Sequence, residues 1–146
     1  MSGSLREFAQ RVRGLRDFIT QEVQKTMIEN ADVIEEIQRK RLSRGKNIED
    51  RTIQKGYSPG YAKTRKSKGL QTNYVDLNFT GEFYQSLDMV PEGDFGKFDI
   101  ISDVDYAKYI YGRFPAIMGL TKNEADEVKK ILLKGLKEKI IKYLTE

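Results

Sequence analysis

Apolar residues recur every three or four positions along the first part of the chain: Leu5, Phe8, Val12, Leu15, Ile19, Val23, Met27, Ala31, Ile34 and Ile37. This spacing predicts helix over residues 5–42, with no Pro to interrupt it and Gly14 as the weak position. One helix of that length would run to about 55 Å at ~1.5 Å per residue. That is longer than a small domain needs, so the segment either breaks into two helices or packs on partner chains. Arg39, Lys40 and Arg41 fall in its last turn, where cations complement the helix dipole, and Gly45 is the expected stop.

Residues 43–75 carry no firm period and are punctuated by Gly45, Gly56, Pro59, Gly60 and Gly69. A stretch of this kind reads as a functional or mobile loop, cut first by a protease between Arg44 and Lys68. Phe79, Phe83 and Leu87 are spaced by four, which favours a short helix capped by Thr80 with Gly81 and Glu82 in its first turn. Alternation at Leu87 and Met89, and again at Phe98 and Ile100, predicts a hairpin across the turn-rich Pro91–Gly96. Residues 105–112 read as a short helix, with Asp105 as N-cap and Gly112 ending it. Thr121 and Glu124 form a capping-box pattern ahead of Ala125, Val128, Leu132, Leu136, Ile140 and Tyr143, a C-terminal helix.

The expected class is α+β: a long N-terminal helix, a small antiparallel sheet, and a C-terminal helix packed on that sheet. The chain divides into a helical region 1–44, a basic loop 45–75 and an α+β core 76–146, within one domain overall. Phe79, Phe83, Leu87, Phe98, Ile100, Tyr106 and Ile110 are expected to share one core with the last helix.

Composition narrows the chemistry. Of 146 residues, 38% are apolar and 33% charged, which leaves little material for a core and makes oligomerisation plausible. With no Cys and no His, thiolate chemistry, histidine bases and histidine-ligated metals are excluded. No run of 18 apolar residues and no signal-peptide stretch is present, so a cytosolic product is expected. Net charge is +4, unevenly spread: residues 39–68 hold 11 basic and 2 acidic groups, whereas residues 76–113 hold 8 acidic and 3 basic groups. The basic segment faces either a polyanion or the acidic segment of a neighbouring copy, unless it is simply a solvated loop. Its candidate interface or DNA-facing residues are Arg44, Lys46, Arg51, Lys55, Lys63, Arg65, Lys66 and Lys68, interleaved with Tyr57 and Tyr61. Asp99, Asp103 and Asp105 are the candidate carboxylate cluster, but they lack a ligand loop and fit hairpin and cap positions better. No phosphate-binding glycine loop follows Gly56-Tyr-Ser-Pro-Gly60, so catalysis is the minor expectation and no cofactor is expected.

The stretch from Tyr57 to Gly69, followed by Val75-Asp-Leu-Asn-Phe-Thr80-Gly81-Glu-Phe-Tyr-Gln-Ser86-Leu87, resembles small morphogenesis proteins of tailed bacteriophages. These are the tail-completion and head–tail joining proteins, including the Mu-like virion morphogenesis group. The resemblance spans residues 55–125 and continues through Asp105-Tyr106-Ala107 to Gly112 and the Pro115 loop. Its motif residues are Tyr61, Thr80, Gly81, Ser86, Leu87, Tyr106, Ala107 and Gly112; Glu82 and Phe83 stand where the family usually has a short aliphatic side chain. The resemblance implies a non-enzymatic virion component assembled in the host cytoplasm. It would form a homo-oligomeric ring at the neck or tail end, against other neck, portal or tail proteins. The competing expectations are a small nucleic-acid-binding protein that touches phosphates through residues 39–68 without reading bases, and a carboxylate enzyme.

Overall fold

The computed structural model describes residues 4–93 and 96–146. The Met1–Gly3 start and the turn residues Asp94 and Phe95 lie outside the described residues. In order, the elements are α1 (Leu5–Glu29), α2 (Ala31–Ser43), α3 (Pro59–Ser67), α4 (Glu82–Gln85), β1 (Asp88–Pro91), β2 (Phe98–Ile101), α5 (Ala107–Arg113) and α6 (Lys122–Thr145). The fold is α+β and mostly helical, with one two-stranded antiparallel hairpin.

The long N-terminal helix breaks at Asn30. Its side-chain Nδ2 donates to the Thr26 carbonyl at 2.8 Å, an alternative to the helical ladder that short polar side chains offer. The break turns α2 inward. Ile34 and Leu42 of α2 join Met27, Phe83, Leu87, Met89, Ile100, Ala107, Ile117 and Val128 in one buried cluster. The same helix also faces inward with polar side chains. Gln38 Nε2 donates to the Ile117 carbonyl at 2.7 Å, and Gln38 Oε1 accepts from Gly119 N–H at 3.1 Å. Arg41, with no exposed surface, donates to the Gly119 and Ile117 carbonyls at 2.9 and 2.8 Å, to Gln38 Oε1, and to the carboxylate of Glu124. Arg39 Nε donates to the Tyr84 carbonyl at 2.8 Å. Glu35 accepts from Met89 N–H at 3.1 Å, which closes the edge of β1 that β2 does not pair.

The hairpin pairs Met89 with Ile100 on its buried face, and sets Asp88 opposite Ile101 and Val90 opposite Asp99 on the other face. α6 opens with the expected capping box: Thr121 Oγ1 accepts from Glu124 N–H at 3.1 Å, and Glu124 accepts from Thr121 N–H at 2.9 Å. It enters the core at Val128 and Leu132, then runs antiparallel along α1. Along that seam Phe18 stacks on Tyr143 at 4.2 Å, and Arg11 donates to the carbonyls of Leu144 and Glu146. Lys139 meets Glu29 and Glu22 at 3.0 and 3.3 Å. Close approach depends on glycine at two points. A Cβ at Gly14 would lie 2.6 Å from Tyr143 Oη, and one at Gly135 would lie 3.3 Å from Thr26 Cγ2.

Several expectations are corrected. Residues 45–75 are not a free loop, because Pro59 starts a nine-residue helix and the flanking backbone is tied to the fold. Val75 N–H donates to the Gln54 carbonyl and Ile53 N–H to the Gly45 carbonyl. Gly45 does follow the end of α2, with φ of 69° and the Tyr74 ring packed where a side chain would project. The N-cap of α4 is Gly81 in the left-handed region rather than Thr80, whose hydroxyl accepts from Glu82 N–H at 3.3 Å. α5 starts after Tyr106, so Asp105 is not its cap, and Gly112 lies inside the helix, which stops just before Phe114-Pro115. Phe79 and Tyr106 are exposed rather than part of the core, because both stand on the wall of an open cleft.

Phe83→Ala should cost about 3–5 kcal/mol, since the ring is 3% exposed at the centre of the cluster. Arg41→Ala should cost about as much by leaving the half-buried Glu124 carboxylate and two carbonyls unpaired, and Arg41→Lys should not rescue it, because one ammonium cannot replace a guanidinium fork. Denaturant titration measures all three.

Candidate functional site

One residue of the basic segment, Arg65, and the motif residues Tyr61, Thr80 and Tyr106 meet at one place in the fold. Arg65, 1% exposed, points inward from α3 instead of toward solvent. Its guanidinium donates to Asp76 Oδ1 at 3.1 Å, to the Gln71 carbonyl at 3.0 Å and to the Asn78 carbonyl at 2.9 Å. It also stacks over the Tyr57 ring at 4.3 Å, a cation–π contact. Asp76 accepts in addition from Gln71 Nε2 at 2.9 Å, Asn78 N–H at 2.9 Å and Tyr57 Oη at 3.2 Å. Tyr84 Oη donates to the Asp76 carbonyl. A buried ion pair with every arm occupied fixes a chain path more than it adds stability. Here it holds Leu77 at φ of 60°, a conformation that costs a side-chain-bearing residue about 1–2 kcal/mol.

This network forms the base of a cleft of about 630 Å³ between α3 and α5. Tyr57, Tyr61 and Phe79 stand on one side; Tyr106, Ile110 and Phe114 stand on the other, with Phe83 below. The Tyr61 ring meets Tyr57 edge-on at 5.3 Å and Phe79 at 5.8 Å, and Lys68 Nζ lies 5.5 Å from the Phe79 ring. Glu82 lines the cleft with Tyr106. Burial pushes the Tyr57 phenol up to about 12; the Asp76 charge adds to this, while Arg65 and the Asp76 N–H pull the other way. Burial raises Tyr84 further still, and raises Tyr106 with help from the Glu82 charge.

Of the predicted basic residues, Arg44, Arg51, Lys55, Lys63, Lys66 and Lys68 are exposed, Lys46 is half-buried, and Arg65 is withdrawn into the network. Arg51 pairs with Glu49 at 3.5 Å. The motif residues serve the same neighbourhood. Tyr61 and Tyr106 face each other across the cleft, Thr80 and Gly81 start α4, and Leu87 and Ala107 are buried beneath. Ser86 Oγ donates to the Phe83 carbonyl at 2.6 Å, and Gly112 is exposed on α5. Asp99, Asp103 and Asp105 are exposed and do not converge; among the described residues no group of three or more acidic side chains is placed to hold a metal ion. Instead, the neighbouring Asp99 carboxylate across the hairpin raises the Glu92 carboxyl.

Reading the charges as a run placed Arg65 among the outward-facing cations and missed its buried role, Asp76 and the cleft. The available signal was the lack of any carboxylate between Arg51 and Val75 before the single Asp76. No helix of the described residues is long and apolar enough to cross a membrane. The chain matches no family model, no curated protein and no solved structure.

The raised Tyr57 gives a pH signature. The folded state favours the neutral phenol, so this contribution is whole below the ordinary value of 10 and is lost as pH rises through about 12. Unfolding free energy should therefore fall across that window, and Tyr57→Phe should flatten the fall; parallel slopes for the two proteins would reject the assignment.

Proposed function

We propose that the chain is a non-enzymatic structural subunit of a tailed-phage virion, built into a homo-oligomeric ring at the neck or tail end. The observation that carries the reading is the unfinished state of the α1–α6 pair. Of 25 residues in α1 only Thr26 and Met27 are buried, and of 24 in α6 only Val128. The apolar line Leu5, Phe8, Val12, Leu15, Ile19, Val23 is turned by roughly a quarter of a circle from the seam residues Arg11, Phe18 and Glu22, at ~100° per residue. On α6 the line Leu132, Leu136, Ile140, Leu144 is offset likewise. Because the helices run antiparallel, the two offsets bring both lines to the same side. Leu5 is 84% exposed there, with Val12 and Leu133 also exposed.

A helix pair with an open apolar side suits a subunit whose surface is completed by neighbours. The motif order that resembles the phage joining proteins supplies the setting, and three of its residues, Tyr61, Thr80 and Tyr106, line one cleft. The nucleic-acid reading rests on the exposed lysines of α3, which would meet phosphates without base readout.

The test is presence in particles. Tailed particles purified from the source of this sequence and probed by mass spectrometry should contain the chain in several copies per particle. A chain absent from particles and monomeric in the producing cell would overturn the reading.

A further inference from the structure

The open side of the α1–α6 pair has charges of one sign along both of its edges. Counted from Phe18 in the seam at ~100° per residue, Leu15, Phe8, Ile19, Val12 and Leu5 fall between about 60° and 140° on α1. The charged positions that come next are Arg16 and Arg13, at about 160° and 220°. Counted likewise from Tyr143 on α6, Ile140, Leu133 and Leu144 fall at about 60–100°, and Lys137 and Lys130 at about 120–140°. All four cations are exposed, and among the described residues none makes an ion pair. The carboxylates of these stretches lie elsewhere. Asp17 and Glu138 stand on the far side of the pair, at about 260° and 220° on the same scales. Glu22 is paired with Lys139 in the seam, and Glu7 caps α1.

The apolar strip between these edges is a groove. Phe8, Leu15, Ile19, Leu136 and Ile140 are half-buried along its floor, whereas Val12 and Leu133, 47% and 62% exposed, stand at its sides. The hairpin connection closes its inner end, since a Cβ at Gly96 would lie 3.5 Å from Val23 Cγ1. Among the described residues nothing closes the outer end, where Leu5 is 84% exposed. From Leu5 to Ile19 the groove runs about 22 Å, the length of four helical turns.

The cations decide what fits there. A second copy apposed through the same face would set Arg13, Arg16, Lys130 and Lys137 against their own counterparts, and like charges at a contact are penalised. A flat anionic lipid surface reaches the sides of the groove but not its floor. A rod with an apolar stripe reaches both, and carboxylates beside that stripe meet the cations on each edge. We propose that the groove receives an amphipathic helix of another protein, about four turns long, whose apolar stripe is flanked on both sides by Asp or Glu. This rests on the reading of the chain as a subunit finished by neighbours, and gives one neighbour its chemistry.

The probe is a labelled synthetic peptide of about 16 residues with Leu at heptad positions a and d, Glu at e and g, and Ala elsewhere. Its counterpart carries Lys at e and g. In fluorescence-anisotropy titrations with the full-length chain at low salt, the Glu peptide should saturate at one per chain. The Lys peptide should bind about tenfold more weakly or worse. Arg16→Glu with Lys137→Glu should invert that preference, and Val12→Asp with Leu133→Asp should abolish binding of both peptides. Lys63→Glu with Lys66→Glu, on α3, should leave binding unchanged. All six side chains are exposed, so the variants should keep the parent's circular dichroism. No binding of the Glu peptide, equal affinity for the two peptides, or an equal loss from the α3 reversals overturns the proposal. Flotation with phosphatidylglycerol vesicles, without peptide binding and lost in Val12→Asp with Leu133→Asp, overturns it in favour of a lipid surface. Self-association in sedimentation that the same pair of substitutions removes overturns it in favour of a second copy. The virion reading is judged separately: a chain found in particles that ignores the Glu peptide keeps that reading and loses this partner. Peptide binding by a chain absent from particles does the opposite.

Discussion

Arg41 is the point on which the fold turns. A guanidinium with no exposed surface must find acceptors or make the core untenable, and it finds the carbonyls of Ile117 and Gly119, the Gln38 amide and the Glu124 carboxylate. Apart from Gln38, one turn back on α2, those partners lie in the loop before α6 and in its first turn, so one side chain of α2 sets where the last helix begins. Gln38 holds the same loop from the adjacent turn, while Glu35 and Arg39 do the equivalent for β1 and α4. The apolar cluster supplies the driving force, but it is indifferent to small rotations of α2; the four polar side chains are not. Burial collects the elements, and hydrogen bonds to backbone groups choose their register.

The Arg65–Asp76 pair repeats the device on a smaller scale. α3 has almost no apolar side of its own, and its inward residues are the buried Arg65 and the half-buried Ala62. It stays helical because Arg65 is drawn down onto Asp76, Gln71 and Asn78, and because Tyr57 covers the guanidinium. The same withdrawal leaves the lysines on the outer side and opens the cleft beside them. The exposed basic ridge and the aromatic mouth are two results of one buried charge.

What the sequence told in advance follows the same division. α6 was legible from its capping box and apolar spacing, and the hairpin from alternation around Pro91–Gly96, because in both the inward positions are apolar and periodic. α3 was not, since a helix held by one arginine has no stripe to detect, and the run Lys63 to Lys68 looks like a solvated charge segment. Asp105 and Gly112 looked like the ends of α5, but the true limits come from the backbone around Tyr106 and Phe114-Pro115. The partners of Arg65 in the cleft network stand 6 to 13 residues away across irregular backbone, where no period links them. Aromatic residues at Phe79 and Tyr106 read as core because composition cannot distinguish a buried ring from one that lines an open cleft.

The links from α2 carry a consequence for how the chain comes into being. Gln38 and Arg41 find their carbonyl and carboxylate partners 76 to 83 residues further along, and Glu35 meets Met89 after an interval of 54. While a ribosome is still making the middle of the chain, those side chains have only water to bind, and the apolar side of α2 has nothing to rest on. Interactions of such high sequence separation form late and slow the search. The N-terminal half therefore waits, helical at best, until the segment around Glu124 has left the exit tunnel. Emergence of the segment around Glu124, rather than of the first helices, is the event that commits the molecule to its shape.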